Sequence, residues 1–199
     1  VLANDVPNMR CLERKPRTVS CSVRKLDRFE FEERMPSMLD LLPQLAVSAV
    51  QSWSSLGQRV RSYTMAKRTS APAVKRAFDG IVGVESPQEK FARLHSFVAR
   101  KIRYLGLEQE DGAFVPRPSD VTLARGYGDC KDKTVLFLDF LKLAGIEAWP
   151  VLVASSRFDV TKLIVPAPVY FDHMIACADL GEAQPVCVDL TDEAAVSSE

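Results

Sequence analysis

The segment RGYGDCKDKTVLFLDFLKLAG, residues 125–145, constrains the fold more than any other part of the 199-residue chain. Asp129 is a good N-cap residue, and Asp132, three positions later, completes a pattern typical of a capping box. The apolar residues that follow predict a long helix, which Gly145 closes as a left-handed C-terminal cap. The sequence therefore places a cysteine, Cys130, at the first position of a core helix.

Helical patterns occupy the middle of the chain and strand patterns follow them. The helical patterns cover residues 55–68, 72–83 and 86–104, and a shorter one covers 119–125. Strand patterns cover residues 146–155, 170–180 and 185–190. The order of helices first and strands afterwards predicts an α+β fold in which helices pack on an antiparallel β-sheet.

The first 50 residues are the least regular part of the sequence. Short strand patterns occur at 18–23 and 45–53, and Pro36 and Pro43 interrupt the chain between them. We interpret residues 1–50 as the tail of a preceding β-rich domain or a strand-bearing arm, and residues 51–199 as a separate domain. The chain begins at Val1 without a methionine, so we expect an internal piece of a longer protein with neighbouring domains.

Composition excludes several classes of function. Lysine plus arginine and aspartate plus glutamate balance at 26 each, and no dense basic patch with interleaved aromatic residues occurs, which argues against nucleic-acid binding. No apolar run approaches the roughly 20 residues that a membrane-spanning helix needs, so we expect no transmembrane segment. At 47% hydrophobic residues, the chain can bury a core.

The five cysteines are an odd number, so at least one thiol stays free or pairs with another chain. The absence of a C-x-x-C pattern argues against a structural zinc site and a thioredoxin-like redox motif. A site in which cysteine, histidine and aspartate bind a metal is a weak alternative, because only three dispersed ligands are available.

The predicted position of Cys130 at a helix N-terminus is typical of a catalytic nucleophile. A thiol attacks as the thiolate, and an ordinary cysteine with a pKa of ~8.5 is mostly protonated at neutral pH. The amides and the positive dipole end of a helix N-terminus stabilise a thiolate, and the same amides can hold an oxyanion. Gly126 and Gly128 would leave room for a substrate backbone. The alternative is that Cys130 only packs in the core, as most cysteines on apolar faces do.

A general base and a carboxylate follow in the predicted hairpin. A register that pairs His173 with Asp189 would let the carboxylate orient the imidazole, giving the cysteine–histidine–aspartate arrangement of a thiol enzyme. In the same register Cys177 and Cys187 lie diagonally, so we interpret them as apolar filling beneath the helix and not as a disulfide.

Other interpretations of these residues stay open. His173 could be a half-buried strand histidine that a nearby carboxylate satisfies. Asp189 could be a strand-end residue, with Asp192 as the alternative third member of the site. His95 lies beside the apolar stripe of its predicted helix, and we interpret it as a partly exposed residue without a catalytic role.

The motifs resemble those of the bacterial transglutaminase-like domains in the papain-like superfamily. The similarity runs from about Trp53 to Asp192, and GYGDCKDK at 126–133 is its most specific part. FDHMIACADL at 171–180 and CVDLTDE at 187–193 continue it. The family's usual DPT appears here as DLT.

The resemblance implies roles for particular residues. Cys130 would be the nucleophile, His173 the general base and acid, and Asp189 the orienting carboxylate, with no metal or organic cofactor. Relatives often add a Trp or Gln side chain as a second oxyanion donor, for which we find no clear match. Tyr104, Phe114 and Arg117 are merely nearby in sequence. For the two lysines of the motif, Lys131 and Lys133, a solvated face and a substrate role are both open.

The expected function is that of a thiol acyl-transfer module that acts on a peptide or protein amide through a thioester. Hydrolysis by a protease or amidase is favoured over protein crosslinking, because many hydrolases share the fold. The alternative is a catalytically idle transglutaminase-fold binding module in a larger bacterial envelope protein. The resemblance also implies an exported, periplasmic or cell-envelope location.

Overall fold

The computed structural model describes residues 2–15, 18–26, 28–106, 115–155 and 158–193. The chain divides into two compact units, and the first consists of Val1–Leu56 and Ala154–Tyr170. The second consists of Gly57–Val153 and Phe171–Glu199. The domain boundary after residue 50 stays a prediction.

The first unit contains two small antiparallel pairs of strands. Strand β1 (Leu2–Asn4) pairs with β4 (Leu45–Val47), and β2 (Arg10–Lys15) pairs with β3 (Thr18–Ser22). Cys11 lies opposite Cys21 in the second pair, and a disulfide joins them. The unit also contains the short helix α1 (Met38–Leu41) and two 3₁₀ turns, Val160–Lys162 and Pro168–Tyr170.

The second unit combines helices with a three-stranded sheet, and the chain passes into it within α2 (Trp53–Met65). The other helices are α3 (Pro72–Ile81), α4 (Pro87–Lys101), α5 (Ser119–Arg125) and α6 (Cys130–Leu143). Strands β7 (Ala148–Val153), β8 (His173–Ala178) and β9 (Val186–Val188) form an antiparallel sheet in that order. The predicted α+β architecture with an antiparallel sheet is confirmed.

A very short parallel pair of strands lies next to the start of α6. Strand β5 (Arg103–Tyr104) pairs with β6 (Tyr127–Gly128), and the pairing sets Tyr104 opposite Gly128. The amide of Leu105 donates to the carbonyl of Gly128 at 2.9 Å. The pairing therefore fixes the turn that delivers Cys130 to the helix.

Capping residues mark the starts of helices α4 and α6. The Ser86 side chain accepts from the Glu89 amide, while the Glu89 carboxylate accepts from the Ser86 amide at 2.9 Å. At α6 the Asp129 carboxylate accepts from the Asp132 amide at 3.1 Å, and the Asp132 carboxylate accepts from the Asp129 amide at 3.4 Å. Both helices have a capping box, and α6 begins at the residue that its predicted capping box indicates.

Helix α6 lies at the centre of the second unit. Every residue from 131 to 141 is buried, because α3, α4, α5 and the sheet all pack around this helix. Its apolar residues join a core to which α4 contributes Phe91, Leu94 and Val98 and the sheet contributes Ala148 and Ala176. Within the part of the chain that the structure describes, no helix combines the length and the apolar character needed to cross a bilayer.

A buried carboxylate ties α6 to its neighbours. Asp139 is fully buried and accepts hydrogen bonds from the Thr69 amide at 3.0 Å and from the Ser70 amide at 2.8 Å. The Ser70 and Ser119 hydroxyls also donate to it, at 2.9 and 2.5 Å. These four donors satisfy the carboxylate, so that α6 is held to the loop before α3 and to the start of α5.

The sheet register differs from the predicted one by two residues. Cys177 lies opposite Cys187, and Ala176 lies opposite Val188. A disulfide joins Cys177 to Cys187, so the interpretation of these two residues as apolar filling is wrong. Pro150 lies in β7, an edge strand of the sheet, as its missing amide proton requires.

Candidate active site

Cys130 is the first residue of α6 and lies two positions after the end of strand β6. It is partly exposed, and it is the free cysteine among the five, all of which lie in the described residues. Its amide is at the first helical position, where no acceptor within the helix is available. The thiol therefore lies beside free backbone donors and the positive end of the helix dipole.

Gly128 is required by local packing, whereas an added Cβ on Gly126 would meet no atom within 4 Å. A Cβ atom on Gly128 would lie 2.7 Å from the Asp132 Cβ and 3.2 Å from the Thr122 Cγ2, so the position must be glycine for the capping box to close. Gly126 ends α5 in the left-handed conformation, with φ of 69°. The expectation that Gly128 leaves room for a substrate is wrong, because Gly128 is buried against Asp132.

His173 and Asp189 lie together although the predicted register was wrong. The His173 Nε2 donates to the Asp189 Oδ2 at 2.8 Å. His173 is the first residue of β8, and Asp189 follows the last residue of β9. A register error of two residues keeps each side chain on its predicted face, because side chains alternate with a period of two.

The Asp189 carboxylate is held at both oxygens. Its Oδ1 accepts from the Thr191 amide at 2.8 Å and from the Thr191 hydroxyl at 2.7 Å, which leaves Oδ2 for His173. Burial alone would raise the pKa of Asp189, but the Thr191 hydrogen bonds and the contact with His173 outweigh it and lower the pKa. The imidazole of His173 thus has the Asp189 carboxylate as a hydrogen-bond partner.

The imidazole of His173 also interacts with the Cys130 side chain. This interaction is the main reason that the pKa of His173 is raised to about 9, while burial lowers the pKa and the contact with Asp189 raises it further. Because the Nε2 atom is hydrogen-bonded to Asp189, the Nδ1 atom is the ring nitrogen available to interact with the Cys130 sulfur. The structure therefore brings Cys130, His173 and Asp189 into one line of contacts.

Two lysines of the motif are buried. The Lys131 ammonium pairs with Asp129, the N-cap residue of α6, and only 6% of Lys131 is exposed. Lys133 is fully buried and donates to the Ala99 carbonyl of α4 at 3.1 Å, and burial lowers its pKa to about 8. The solvated-face interpretation of Lys131 and Lys133 is wrong, since both side chains are held inside the unit.

The other residues near the motif have different surroundings. The Arg117 guanidinium donates to the buried Asp132 carboxylate at 2.7 Å, and its amide donates to the same group at 2.7 Å. Arg117 therefore supports the capping box. Tyr104 is 42% exposed in β5. Phe114 lies outside the described residues.

His95 makes a buried contact that the sequence did not predict. It is buried, with 4% exposure, and its Nε2 lies 3.2 Å from the main-chain oxygen of Asp189. The interpretation of His95 as a partly exposed bystander is wrong. Its neighbours along α4 gave no signal, because the partner oxygen belongs to a residue 94 positions away in sequence.

A cysteine next to an imidazole that a carboxylate orients is an arrangement capable of nucleophilic catalysis. The histidine can take up the thiol proton and return it to a leaving group, and the carboxylate keeps the ring in one tautomer. The helix N-terminus can stabilise negative charge on the sulfur and on an oxyanion.

Comparisons with known proteins support the fold and part of the site. The family model for the transglutaminase-like superfamily matches residues 75–172. The matched segment includes Cys130 and ends immediately before His173. No curated protein sequence matches the chain.

One solved structure is similar over nearly the whole chain. It is a protein from Parabacteroides distasonis named "putative protease", with a TM-score of 0.69 and 15% sequence identity. The similarity covers 96% of this chain and 41% of the other, so the chain spans about two fifths of that protein's length. At this identity the likeness shows the fold. Together, the matched family and the shared fold show that the chain contains a transglutaminase-like domain.

Proposed function

We propose that the chain is a thiol acyl-transfer module that hydrolyses peptide or other amide bonds through a thioester on Cys130. In this proposal His173 is the general base and acid, and Asp189 orients the His173 ring. The observation that carries the proposal is the chain of contacts from the helix-capped sulfur to the imidazole and on to the carboxylate.

The reaction would proceed in two halves. The Cys130 thiolate attacks the carbonyl carbon of the amide, and the oxyanion accepts from the Cys130 amide at the start of α6. The His173 imidazolium then donates its proton to the amide nitrogen, the carbon–nitrogen bond breaks, and the amine leaves. In the second half His173 takes a proton from water, the resulting hydroxide attacks the thioester carbonyl, and the sulfur leaves as the thiolate.

One observation supports thiol acyl transfer, and a second favours water as the acceptor. The raised pKa of His173 keeps the ring protonated at neutral pH, as the first half of the reaction requires. The structural neighbour has a name that indicates a protease, which favours water over an amine as the acceptor.

The two disulfides support an oxidising location such as the periplasm or cell envelope.

The first test measures the reactivity of the sulfur. Cys130 is alkylated with iodoacetamide at pH 6 and its rate is compared with that of glutathione, using the wild type and the His173→Ala variant. Because the proposed mechanism uses the thiolate as the nucleophile, we expect wild-type alkylation to be at least tenfold faster than that of glutathione, and His173→Ala to remove the advantage. Equal rates in all three cases would contradict the proposal and favour an idle binding module.

The second test separates hydrolysis from crosslinking. Dye-labelled casein reports cleavage, and incorporation of dansylcadaverine into dimethylated casein reports transamidation, with Cys130→Ala as the control. We expect cleavage that depends on Cys130. Dansylcadaverine incorporation without cleavage would show that an amine, and not water, is the acceptor.

A further inference from the structure

We propose that His95 is a positioning residue for Asp189, holding the main chain of the carboxylate residue so that its side chain faces His173. The inference rests on the proposed function, since it assigns Asp189 the orienting role. His95 has no contact with a reacting atom in this scheme, and its effect would pass through Asp189 alone.

The contact between His95 and Asp189 has one chemically consistent form. The main-chain oxygen of Asp189 can only accept, so the Nε2 of His95 must carry the proton and donate across the 3.2 Å distance. Burial is the main cause that lowers the pKa of His95, although the contact with Asp189 acts in the opposite direction. The ring is therefore neutral at pH 7 and is in the Nε2–H tautomer.

The ring is held in place by the helix that carries the nucleophile. The Phe137 ring of α6 lies edge-on to the His95 ring at a centroid distance of 6.1 Å, and Phe91 packs on Phe137 at 5.3 Å. Phe137 is two helical turns from Cys130. The contacts through His95 thus link α6 to the segment after β9 by a path separate from the one through His173.

Charged groups from other elements also face His95. Lys133 of α6 lies close enough to lower its pKa, while Asp189 and Asp192 raise it. Lys133 itself interacts with Asp189 and Glu193. A protonated His95 would add a second cation beside Lys133, which is a further reason for the ring to remain a neutral donor.

Position matters here because Asp189 lies just outside the strand. Strand β9 ends at Val188, so Asp189 is the first residue beyond the strand. Thr191 holds the carboxylate and His95 holds the carbonyl of the same residue. Because the carbonyl and the Oδ1 atom of Asp189 are both held, the Oδ2 atom faces His173.

The decisive variants are His95→Leu and His95→Gln. Leucine removes the donor and keeps the apolar volume, whereas the glutamine amide can place an N–H close to the position of Nε2. With labelled casein we expect His95→Leu to lower kcat by about 10- to 100-fold with little change in KM, as for a small displacement of a catalytic group. We expect His95→Gln to restore kcat to within about threefold of the wild type. Equal losses in both variants, or no loss in His95→Leu, would overturn the inference.

A second measurement does not depend on turnover. The pH profile of Cys130 alkylation reports the thiolate–imidazolium pair directly, so it decides the inference even if no amide is hydrolysed. We expect the alkylation rate at pH 6 to fall at least threefold in His95→Leu and to recover in His95→Gln. A purely structural role would lower the Tm of His95→Leu and leave this profile unchanged.

The wild type provides a third test that avoids the risk of an unfolded variant. Nitrogen-15 NMR of the two histidines distinguishes their tautomers. We expect His95 to be in the neutral Nε2–H form from pH 7 to 8.5, with a slowly exchanging ring proton, and to titrate below its ordinary pKa. An Nδ1–H tautomer, or protonation of His95 near its ordinary pKa of about 6.5, would refute the inference.

Discussion

The protonation of His173 offers the sharpest test of the site. Its pKa is raised from 6.5 to about 9, and the interaction with Cys130 is the largest cause. The difference corresponds to about 3 kcal/mol in favour of the charged ring. Burial acts against this charge, so the ring would not be protonated at neutral pH without its two partners. Only 17% of the His173 side chain is exposed, so solvent screening leaves most of the effect in place.

Replacing Cys130 with alanine removes the largest favourable contribution and leaves burial in place. The proton affinity of the His173 ring should then fall by more than tenfold, or about 1.4 kcal/mol, because the contact with Asp189 alone opposes burial. The direction follows because the contact with Cys130 raises the pKa of His173, so its removal favours the neutral ring.

Nitrogen-15 NMR of the histidine ring measures this directly between pH 5 and 10. The control is Asp192→Ala in the wild-type background, which changes a nearby exposed residue and should leave the His173 titration within about twofold of the wild type. If wild-type His173 titrates at its ordinary pKa, or if Cys130→Ala leaves the titration unchanged, the sulfur and the imidazole do not form the pair described above.

Three further predictions concern neighbouring parts of the same unit. Asp189→Asn should lower kcat by roughly a hundred- to ten-thousand-fold, because the ring loses its orienting carboxylate, while Asp192→Asn stays near the wild type in a casein cleavage assay. Replacing Cys177 and Cys187 together by alanine should lower the free energy of unfolding by about 3 kcal/mol, measured by urea denaturation without reductant; an unchanged midpoint would contradict the disulfide. Gly128→Ala should cost about 1–3 kcal/mol by the same measurement, because its Cβ meets Asp132, and a neutral effect would show that the turn can relax.

The helices of the second unit could be predicted because their signals are local. Ser86 and Asp129 cap helices that begin at the next residue, and each has its partner three positions later. The placement of Cys130 at a helix N-terminus follows from the same signals. Side-chain alternation then put His173 and Asp189 on the correct faces, even though their strands pair two residues away from the predicted register.

The remaining features depend on contacts between distant segments. The hairpin between β8 and β9 has no two-residue turn motif to set its register, so the pairing of Cys177 with Cys187 was missed. The role of His95 needs a carbonyl from beyond β9, and Lys133 reaches a carbonyl of α4. Periodicity places a side chain on a face of its helix but does not identify a partner on another element.

The spacing of the paired cysteines affects how the chain can mature. Each disulfide closes a loop with a sequence separation of 10, within a pair of antiparallel strands. A wrong bond to Cys130 would need a loop more than about four times longer, which adds over roughly 1.2 kcal/mol of closure entropy. During oxidative folding we therefore expect Cys11 to pair with Cys21, and Cys177 with Cys187, before any of them reacts with Cys130. The Cys130 thiol should then remain free without a disulfide isomerase.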